Sequence, residues 1–290
     1  MVYELKNNFL SVKINSFGAE LSSVISNDSG TEYIWQADKT IWNRHAPNLF
    51  PIVGKLKDGC YTYQNKSYQL PQHGFARDNE FICIENSDSV VIFELTANEK
   101  LLTVLPFHFS LQIKYTLVEN NLKISYSVFN PDNRDLYFSI GAHPAFNCPL
   151  SADEAFEDYE LLFPNKNSLT IHELNDGLIT KQTKTIELNH HTLPITQQLF
   201  DNDALVFTGN QIAEVQLISK KTKKGVALKC DNWPYFGIWT KKQTSHFVCL
   251  EPWYGIADSV DSTGDFTTKT GIINLKSEQN FDCEFELTFI

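Results

Sequence analysis

The sequence FSLQIKYTLVENNLKISYSV, residues 109–128, decides the fold class of this protein. On either side of Glu119-Asn120-Asn121, apolar side chains alternate with polar ones. A period of two is typical of β-strands with one buried face, and the polar residues between the two runs are typical of a turn. We therefore predict a β-hairpin over these residues.

The same alternation recurs along the chain. It covers residues 281–289, predicts a second hairpin over 215–228, and indicates shorter strands at 10–14, 90–96, 136–140, 236–240 and 246–250. Helical periodicity is weak, with one short helical turn expected within 96–105. Since no linker or repeat divides the chain, we predict one all-β domain over residues 1–290, a large antiparallel β-sandwich.

Composition and charge exclude several classes of function. The 290 residues include 24 basic and 35 acidic ones, a net charge of −11, which argues against a nucleic-acid partner. The six cysteines form no C-x-x-C pair, and neither a signal region nor an apolar run of 18 residues occurs. We expect a cytoplasmic protein that does not enter a membrane.

Three ionisable residues lie within or after apolar runs, and each directly precedes a proline or a glycine. They are His143 before Pro144, His73 before Gly74, and Glu251 before Pro252. Proline holds the residue before it in extended geometry and interrupts a sheet ladder, so each residue is predicted at the end of a strand. A carboxylate is costly to bury unless it is paired or functional. Two imidazoles and a carboxylate could serve as an acid/base set placed on opposite sides of a substrate.

Four segments resemble a known family. Residues 48–55 (NLFPIVGK), 72–77 (QHGFAR), 141–146 (GAHPAF) and 250–253 (LEPW) are similar, in this order, to segments of the galactose mutarotase-like (aldose 1-epimerase) superfamily, and closest to its LacX-type branch. The resemblance implies a large antiparallel β-sandwich. It also implies an isomerase that interconverts the α and β anomers of a free hexose without a cofactor.

The resemblance also implies roles for individual residues. Glu251 would take the proton from the anomeric hydroxyl, His143 would give a proton to the ring oxygen, and His73 would stabilise developing charge. Asp203 corresponds to a family aspartate that binds sugar hydroxyls, although Asp201 is a neighbour of the same type.

Three basic residues are further candidates for substrate binding. Lys55 stands where many family members carry arginine, and lysine offers a point charge where arginine offers a fork of donors. Arg44 resembles an arginine of the hexose-6-phosphate epimerase branch, in which arginines of this loop and of the segment holding Arg77 bind phosphate. Arg77 is also close enough in sequence to Asp78 and Glu80 to pair with them instead.

Other functions stay open at this point. The same fold could serve a non-catalytic sugar-binding or regulatory protein, and related sandwiches include hydrolases and lyases. The remaining histidines show no spacing typical of metal ligands, so no metal is expected. The tryptophans at 42, 233, 239 and 253 could stack on a sugar or belong to the core. The expected partner is a small-molecule sugar, and the expected assembly is a monomer or a homodimer.

Overall fold

The structure, a computed structural model, describes residues 1–244 and 246–290. Strands dominate these residues. The first twelve are β1 (Val2–Lys6), β2 (Leu10–Asn15), β3 (Glu20–Ser26), β4 (Asn48–Leu49), β5 (Cys60–Tyr63), β6 (Lys66–Gln69), β7 (Ile82–Asn86), β8 (Val90–Thr96), β9 (Ser110–Val118), β10 (Asn121–Phe129), β11 (Leu136–Phe138) and β12 (Ile140–Ala142). The other twelve are β13 (Ala145–Asn147), β14 (Tyr159–Leu162), β15 (Ser168–Asn175), β16 (Leu178–Glu187), β17 (Thr192–Pro194), β18 (Leu205–Thr208), β19 (Glu214–Ser219), β20 (Gly225–Lys229), β21 (Tyr235–Trp239), β22 (Phe247–Tyr254), β23 (Ile273–Leu275) and β24 (Asn280–Phe289).

Helices are few and short. The α-helix α1 (Glu99–Leu102) begins after Asn98, whose side chain accepts a hydrogen bond from the Leu101 N–H, as an N-cap residue does. It lies within the stretch where a short helical turn was expected. The 3₁₀ helices of the described residues are Lys57–Gly59, Ala76–Asp78, Phe156–Asp158, Gln197–Phe200 and Phe266–Thr268.

Two large antiparallel sheets form the body of the molecule. One has nine strands in the order β17-β14-β19-β20-β24-β10-β9-β8-β7, and the other has the order β16-β15-β18-β21-β22-β12-β4, with β13 also paired to β22. Smaller sheets are β1-β2-β3, β5-β6 and β11-β23. The prediction of a large antiparallel β-sandwich is confirmed.

The hairpin predicted from residues 109–128 is β9 and β10. Val118 pairs with Asn121 at its turn, and the register continues to the pair Ser110 and Phe129. On β9 the buried residues alternate with more exposed ones, which is the pattern read from the sequence. The hairpin predicted over 215–228 is β19 and β20.

One cluster of buried apolar side chains lies between the two large sheets. It includes Ile113 of β9, Phe285 of β24 and Ile238 of β21, each at most 4% exposed. Burying a side chain of this size stabilises the fold by about 1.5–3 kcal/mol before the entropy of ordering it is counted. The inner faces are therefore apolar, and a polar site must lie elsewhere.

The strands around Pro144 and Pro252 correct the prediction that Glu251 ends a strand. Gly141 of β12 pairs with Trp253, and Ala145 of β13 pairs with Cys249, so the segment between β12 and β13 faces the middle of β22. His143 lies in this break, as expected for a strand end. Glu251 does not: β22 continues to Tyr254, and the prediction that Glu251 ends a strand is wrong. Pro252 is tolerated within β22 because the hydrogen-bond ladder from β22 to β12 and β13 is interrupted opposite it.

Among the described residues, no helix is long and apolar enough to cross a membrane. All six cysteines are free thiols.

Candidate active site

A cavity of about 350 Å³ opens on the face of the eight-stranded sheet that points away from the main core. Along β22, Val248 and Leu250 belong to that core, whereas Glu251 and Trp253 line the cavity. Such alternation follows from the two-residue period of a strand. Six of the seven residues predicted for the site line this cavity, namely Arg44, His73, Arg77, His143, Asp203 and Glu251.

Trp253 forms part of the cavity wall because two glycines leave room for its ring. A Cβ atom on Gly237 would lie 2.3 Å from the Trp253 ring, and one on Gly141 would lie 2.7 Å from it. Gly237 stands opposite Glu251 on β21, and Gly141 stands opposite Trp253 on β12. The indole therefore lies across both neighbouring strands, next to the carboxylate.

Glu251 and His143 are in direct contact. The distance from Glu251 Oε2 to His143 Nε2 is 3.2 Å, and both side chains are almost completely buried. The backbone N–H of His143 donates to Pro47, which fixes the break between β12 and β13. Glu251 is thus paired with a histidine that lies in the break between β12 and β13.

Burial pushes the pKa values of the two groups in opposite directions. It raises the pKa of Glu251 well above its usual range, and the charge of Asp203 adds to the rise. The indole of Trp253 opposes this shift, although its N–H makes no hydrogen bond of normal geometry. Burial also lowers the pKa of His143, to about 3, with Arg77 and Arg44 acting in the same direction. A dry site penalises both charges, so the pair favours a protonated Glu251 and a neutral His143, with no net charge.

His73 is held by backbone contacts in a strained turn. Its φ is 66°, and its N–H donates to Gly54 at 2.9 Å. The N–H of Gly54 in turn donates to Nδ1 of His73 at 3.2 Å, so Nε2 carries the proton of the neutral ring, and the side-chain amide of Gln72 lies 3.3 Å from Nε2. Burial, followed by the charges of its neighbours, keeps the pKa of His73 well below its usual range. His73 therefore offers a neutral N–H donor, and its ring centroid lies 5.4 Å from that of His143.

Gly74 is required beside it. Its φ is 71°, and a Cβ atom there would lie 2.3 Å from the carbonyl oxygen of Phe50. That carbonyl accepts the N–H groups of Phe75 and Ala76, so the turn packs directly on the strand region before it. This explains why the sequence at the site reads His-Gly.

Two arginines occupy one side of the cavity. Arg44 Nη2 donates to Asp78 at 2.9 Å, and Arg77 Nη2 donates to the carbonyl of Gln72 at 2.6 Å. Nε of Arg77 is buried and makes no hydrogen bond, while Asp78 lies 3.8 Å from it. Burial, together with the charge of Arg44, lowers the pKa of Arg77 to about 10. Two positively charged guanidinium groups therefore line the cavity, and Nε of Arg77 is a hydrogen-bond donor without an acceptor.

The two remaining binding candidates are placed differently from each other. Asp203 lines the cavity, whereas its neighbour Asp201 does not, which favours Asp203 of the two. Lys55 is not among the lining residues: its ammonium bonds to the Asp176 carboxylate at 2.6 Å, in the turn between β15 and β16.

The remaining wall is apolar and aromatic, and sequence reasoning did not assign it. Trp42 and Trp239 pack on His143 with centroid distances of 5.1 and 5.7 Å, whereas Trp233 lies in the main core. The apolar wall is formed by Leu174, Ile179, Ala204, Val206, Ile256 and Ala257. These side chains come from three separate parts of the chain. Each looks like an ordinary strand or loop residue in the sequence, so no local signal marks them.

Comparison with known proteins shows the family of this chain. The sequence model of aldose 1-epimerase matches residues 1–273. The chain belongs to the aldose 1-epimerase family. Within the family it is similar to the chromosomal LacX protein of Lactococcus lactis subsp. lactis, with 35% identity over 270 residues, 90% of each chain.

Solved structures of this family share the whole fold. A galactose mutarotase related enzyme from Lactobacillus acidophilus has 36% identity and a TM-score of 0.96, covering 100% of this chain and 97% of the other. A galactose mutarotase-like protein from Lactobacillus casei has 32% identity and a TM-score of 0.92, covering 100% of both chains. Both solved structures therefore match the fold over the whole of this chain.

Proposed function

We propose that this protein is an aldose 1-epimerase that interconverts the α and β anomers of a free hexose. The observation that carries the proposal is the buried contact between Glu251 and His143, with His73 beside it, in a cavity large enough for one sugar ring. Ligand pockets span about 300–1,000 Å³, so this one lies at the small end of the range.

The proposed chemistry needs an acid and a base next to each other. The anomeric hydroxyl and the ring oxygen of an aldose are both bonded to C1, so the two groups that exchange protons with them must be neighbours. Glu251 and His143 lie side by side, 3.2 Å apart, and not on opposite sides of the cavity as the acid/base reading of the sequence supposed. Side-by-side placement suits these two oxygens.

The proton count of the pair stays constant in the proposed reaction. Transfer of the carboxyl proton from Glu251 to His143 creates the carboxylate base and the imidazolium acid together, with no change in net charge. Glu251 then takes the proton of the anomeric hydroxyl, and His143 gives its proton to the ring oxygen. The C1–O5 bond breaks, the sugar opens to its aldehyde, and rotation about C1–C2 followed by the reverse transfers gives the other anomer.

The surrounding residues are given supporting roles. His73 donates its Nε2–H to an oxygen near the reacting centre, and Asp203 accepts from sugar hydroxyls. The apolar wall and the indole of Trp253 pack against the C–H face of the ring.

The test is the rate of anomer exchange, measured by NMR magnetisation transfer on galactose and glucose. A positioned acid or base contributes about 100- to 10,000-fold, so Glu251→Gln and His143→Ala should each lose activity by that factor. Glu187→Gln and His108→Ala change the same residue types at exposed positions and should leave the rate unchanged. Full activity in both site variants would contradict the proposal.

A second substrate class is favoured by one observation. Arg44 and Arg77 face the cavity together, and Nε of Arg77 is a buried donor with no partner. A phosphate group carries acceptor oxygens that match such donors. A hexose 6-phosphate is therefore the alternative substrate, and the rates with glucose and glucose 6-phosphate, measured side by side by polarimetry, distinguish the two.

A further inference from the structure

The thiol of Cys249 is a buried group that can bind metals and for which the proposed reaction has no use. It stands two residues before Glu251 on β22, so both side chains point to the same face of the sheet. Its neighbours in a small apolar cluster include Trp35, Ala145 and Phe247. The residue itself is fully buried.

Cys249 lies directly behind the Glu251–His143 pair. One ligand atom from each of the three residues, namely sulfur, imidazole nitrogen and carboxylate oxygen, lies within 4.8 Å of the other two. Two atoms of the pair, His143 Nδ1 and Glu251 Oε2, are buried and make no hydrogen bond. Three different metal-binding groups thus converge, and the hydrogen-bonding capacity of two of them is not used.

We propose that His143, Cys249 and Glu251 form a binding site for a thiophilic divalent cation such as Zn²⁺. Zinc is bound in proteins by these three donor types, at about 2.0–2.3 Å. Donors around one tetrahedral zinc lie about 3.5 Å apart, so side-chain shifts of about 1 Å bring the three atoms to bonding distance. Cations that prefer oxygen ligands, such as Mg²⁺, are not suited to this set because it contains a thiolate.

The charge balance of the site suits a doubly charged cation. Without metal, one proton on the Cys249 thiol and one on the Glu251–His143 pair leave the three groups neutral. A bound Zn²⁺ displaces both protons into solvent and leaves a thiolate, a carboxylate and a neutral imidazole around it. The net charge of the buried site is therefore unchanged, which avoids the cost of an uncompensated buried charge.

The cation can enter by the same route as a sugar, because His143 and Glu251 line the cavity. One consequence, inhibition by metal, rests on the proposed function. A metal bound to both Glu251 and His143 would remove the base and the acid of the proposed reaction together. Zinc and sugar would then exclude each other, and the protein would be inhibited by thiophilic metals.

The test uses Co²⁺ as a spectroscopic probe of the metal-free, full-length protein. Cobalt bound to a thiolate gives a sulfur-to-metal charge-transfer band in the near ultraviolet. The band should appear in the wild-type protein at one equivalent of Co²⁺ and disappear when Zn²⁺ is added. It should be lost in Cys249→Ser and retained in Cys60→Ser and Cys83→Ser, which alter the two half-buried thiols.

Affinity provides a second measurement. Loss of a residue that only supports a metal ligand costs about 10–100-fold, so loss of a ligand in Cys249→Ser or Glu251→Gln should weaken Zn²⁺ binding at least about tenfold in calorimetry. Far-ultraviolet circular dichroism checks that each variant is folded. The Glu251→Gln variant keeps the thiol and tests the site even if Cys249→Ser does not fold.

The proposal is overturned if wild-type protein shows no charge-transfer band, or if the band persists in Cys249→Ser. Neither measurement involves a sugar. A protein that binds Co²⁺ through Cys249 but does not accelerate mutarotation would refute the proposed function and leave the metal site standing. A protein that accelerates mutarotation without binding Co²⁺ would show the reverse.

Discussion

At the scale of single residues, the site depends on which polar groups are left without partners. Nε of Arg77, Nδ1 of His143 and Oε2 of Glu251 are buried and make no hydrogen bond. An unpaired buried polar group costs about 1–3 kcal/mol, so a protein retains such groups where a ligand can satisfy them. All three atoms belong to residues that line one cavity, and this argues for ligand binding there more directly than residue type does.

The arginine pair gives a prediction at this scale. Arg44→Ala should raise KM for glucose 6-phosphate about tenfold or more, the factor expected for losing one hydrogen bond between charged groups. KM for glucose should stay within about twofold. Polarimetric kinetics on both sugars measure the difference. Arg134→Ala is the matched control, since Arg134 pairs with Asp132 outside the cavity. An equal change for both sugars in Arg44→Ala would exclude a phosphate site at Arg44.

At the scale of elements, a buried ion pair holds the segment that follows β22. Lys269 Nζ lies 3.2 Å from Asp258 Oδ1, with both side chains 3% exposed, and also donates to the carbonyl of Ile256 at 2.5 Å. The other oxygen of Asp258 accepts from the backbone N–H of Lys57 at 3.0 Å. Ile256 belongs to the apolar wall, so this pair sets the position of that wall relative to Glu251.

Removing one partner of this pair should be strongly destabilising. Lys269→Met leaves the Asp258 carboxylate buried without its partner, and the expected loss is about 3–5 kcal/mol in the free energy of unfolding, measured by urea denaturation. The exposed pair Lys181–Asp261 is the control: Lys181→Met should cost less than about 1 kcal/mol. Adding Asp258→Asn to Lys269→Met should recover part of the loss. A small effect of Lys269→Met alone would show that the pair does not support the wall.

At the scale of the whole molecule, one apolar core joins two large sheets without any covalent cross-link. All six cysteines are free, and four of them are buried. Burial raises the pKa of the thiols of Cys148, Cys230, Cys249 and Cys283, which further reduces their reactivity because the thiolate is the reactive form. The stability of the fold therefore comes from packing and hydrogen bonding.

This arrangement predicts the thiol titration of the native protein. Two thiols, Cys60 and Cys83, should react quickly with a disulfide reagent, and the four buried ones should react only after unfolding in guanidinium chloride. Absorbance of the released thiolate counts both sets. Addition of dithiothreitol should not change the melting temperature. Fewer than six thiols in the unfolded protein, or a melting temperature lowered by reductant, would reveal a disulfide.

The sequence by itself determined the fold class, because alternation along residues 109–128 and 281–289 directly reflects which face of each strand is buried. It also determined the family and the chain segments that hold His73, His143 and Glu251, since the motifs that indicate them are short, continuous stretches of sequence. A single domain, the cytoplasmic location and the monomer or homodimer remain predictions.

Only the tertiary structure decided how these segments meet. It placed Glu251 in the middle of a central strand, because the break opposite it belongs to β12 and β13, which lie about 110 residues earlier in the chain. In the folded protein Lys55 binds Asp176, and the apolar wall is formed by side chains that are far apart in sequence. Contacts of this kind depend on sheet order and register, which no local pattern encodes.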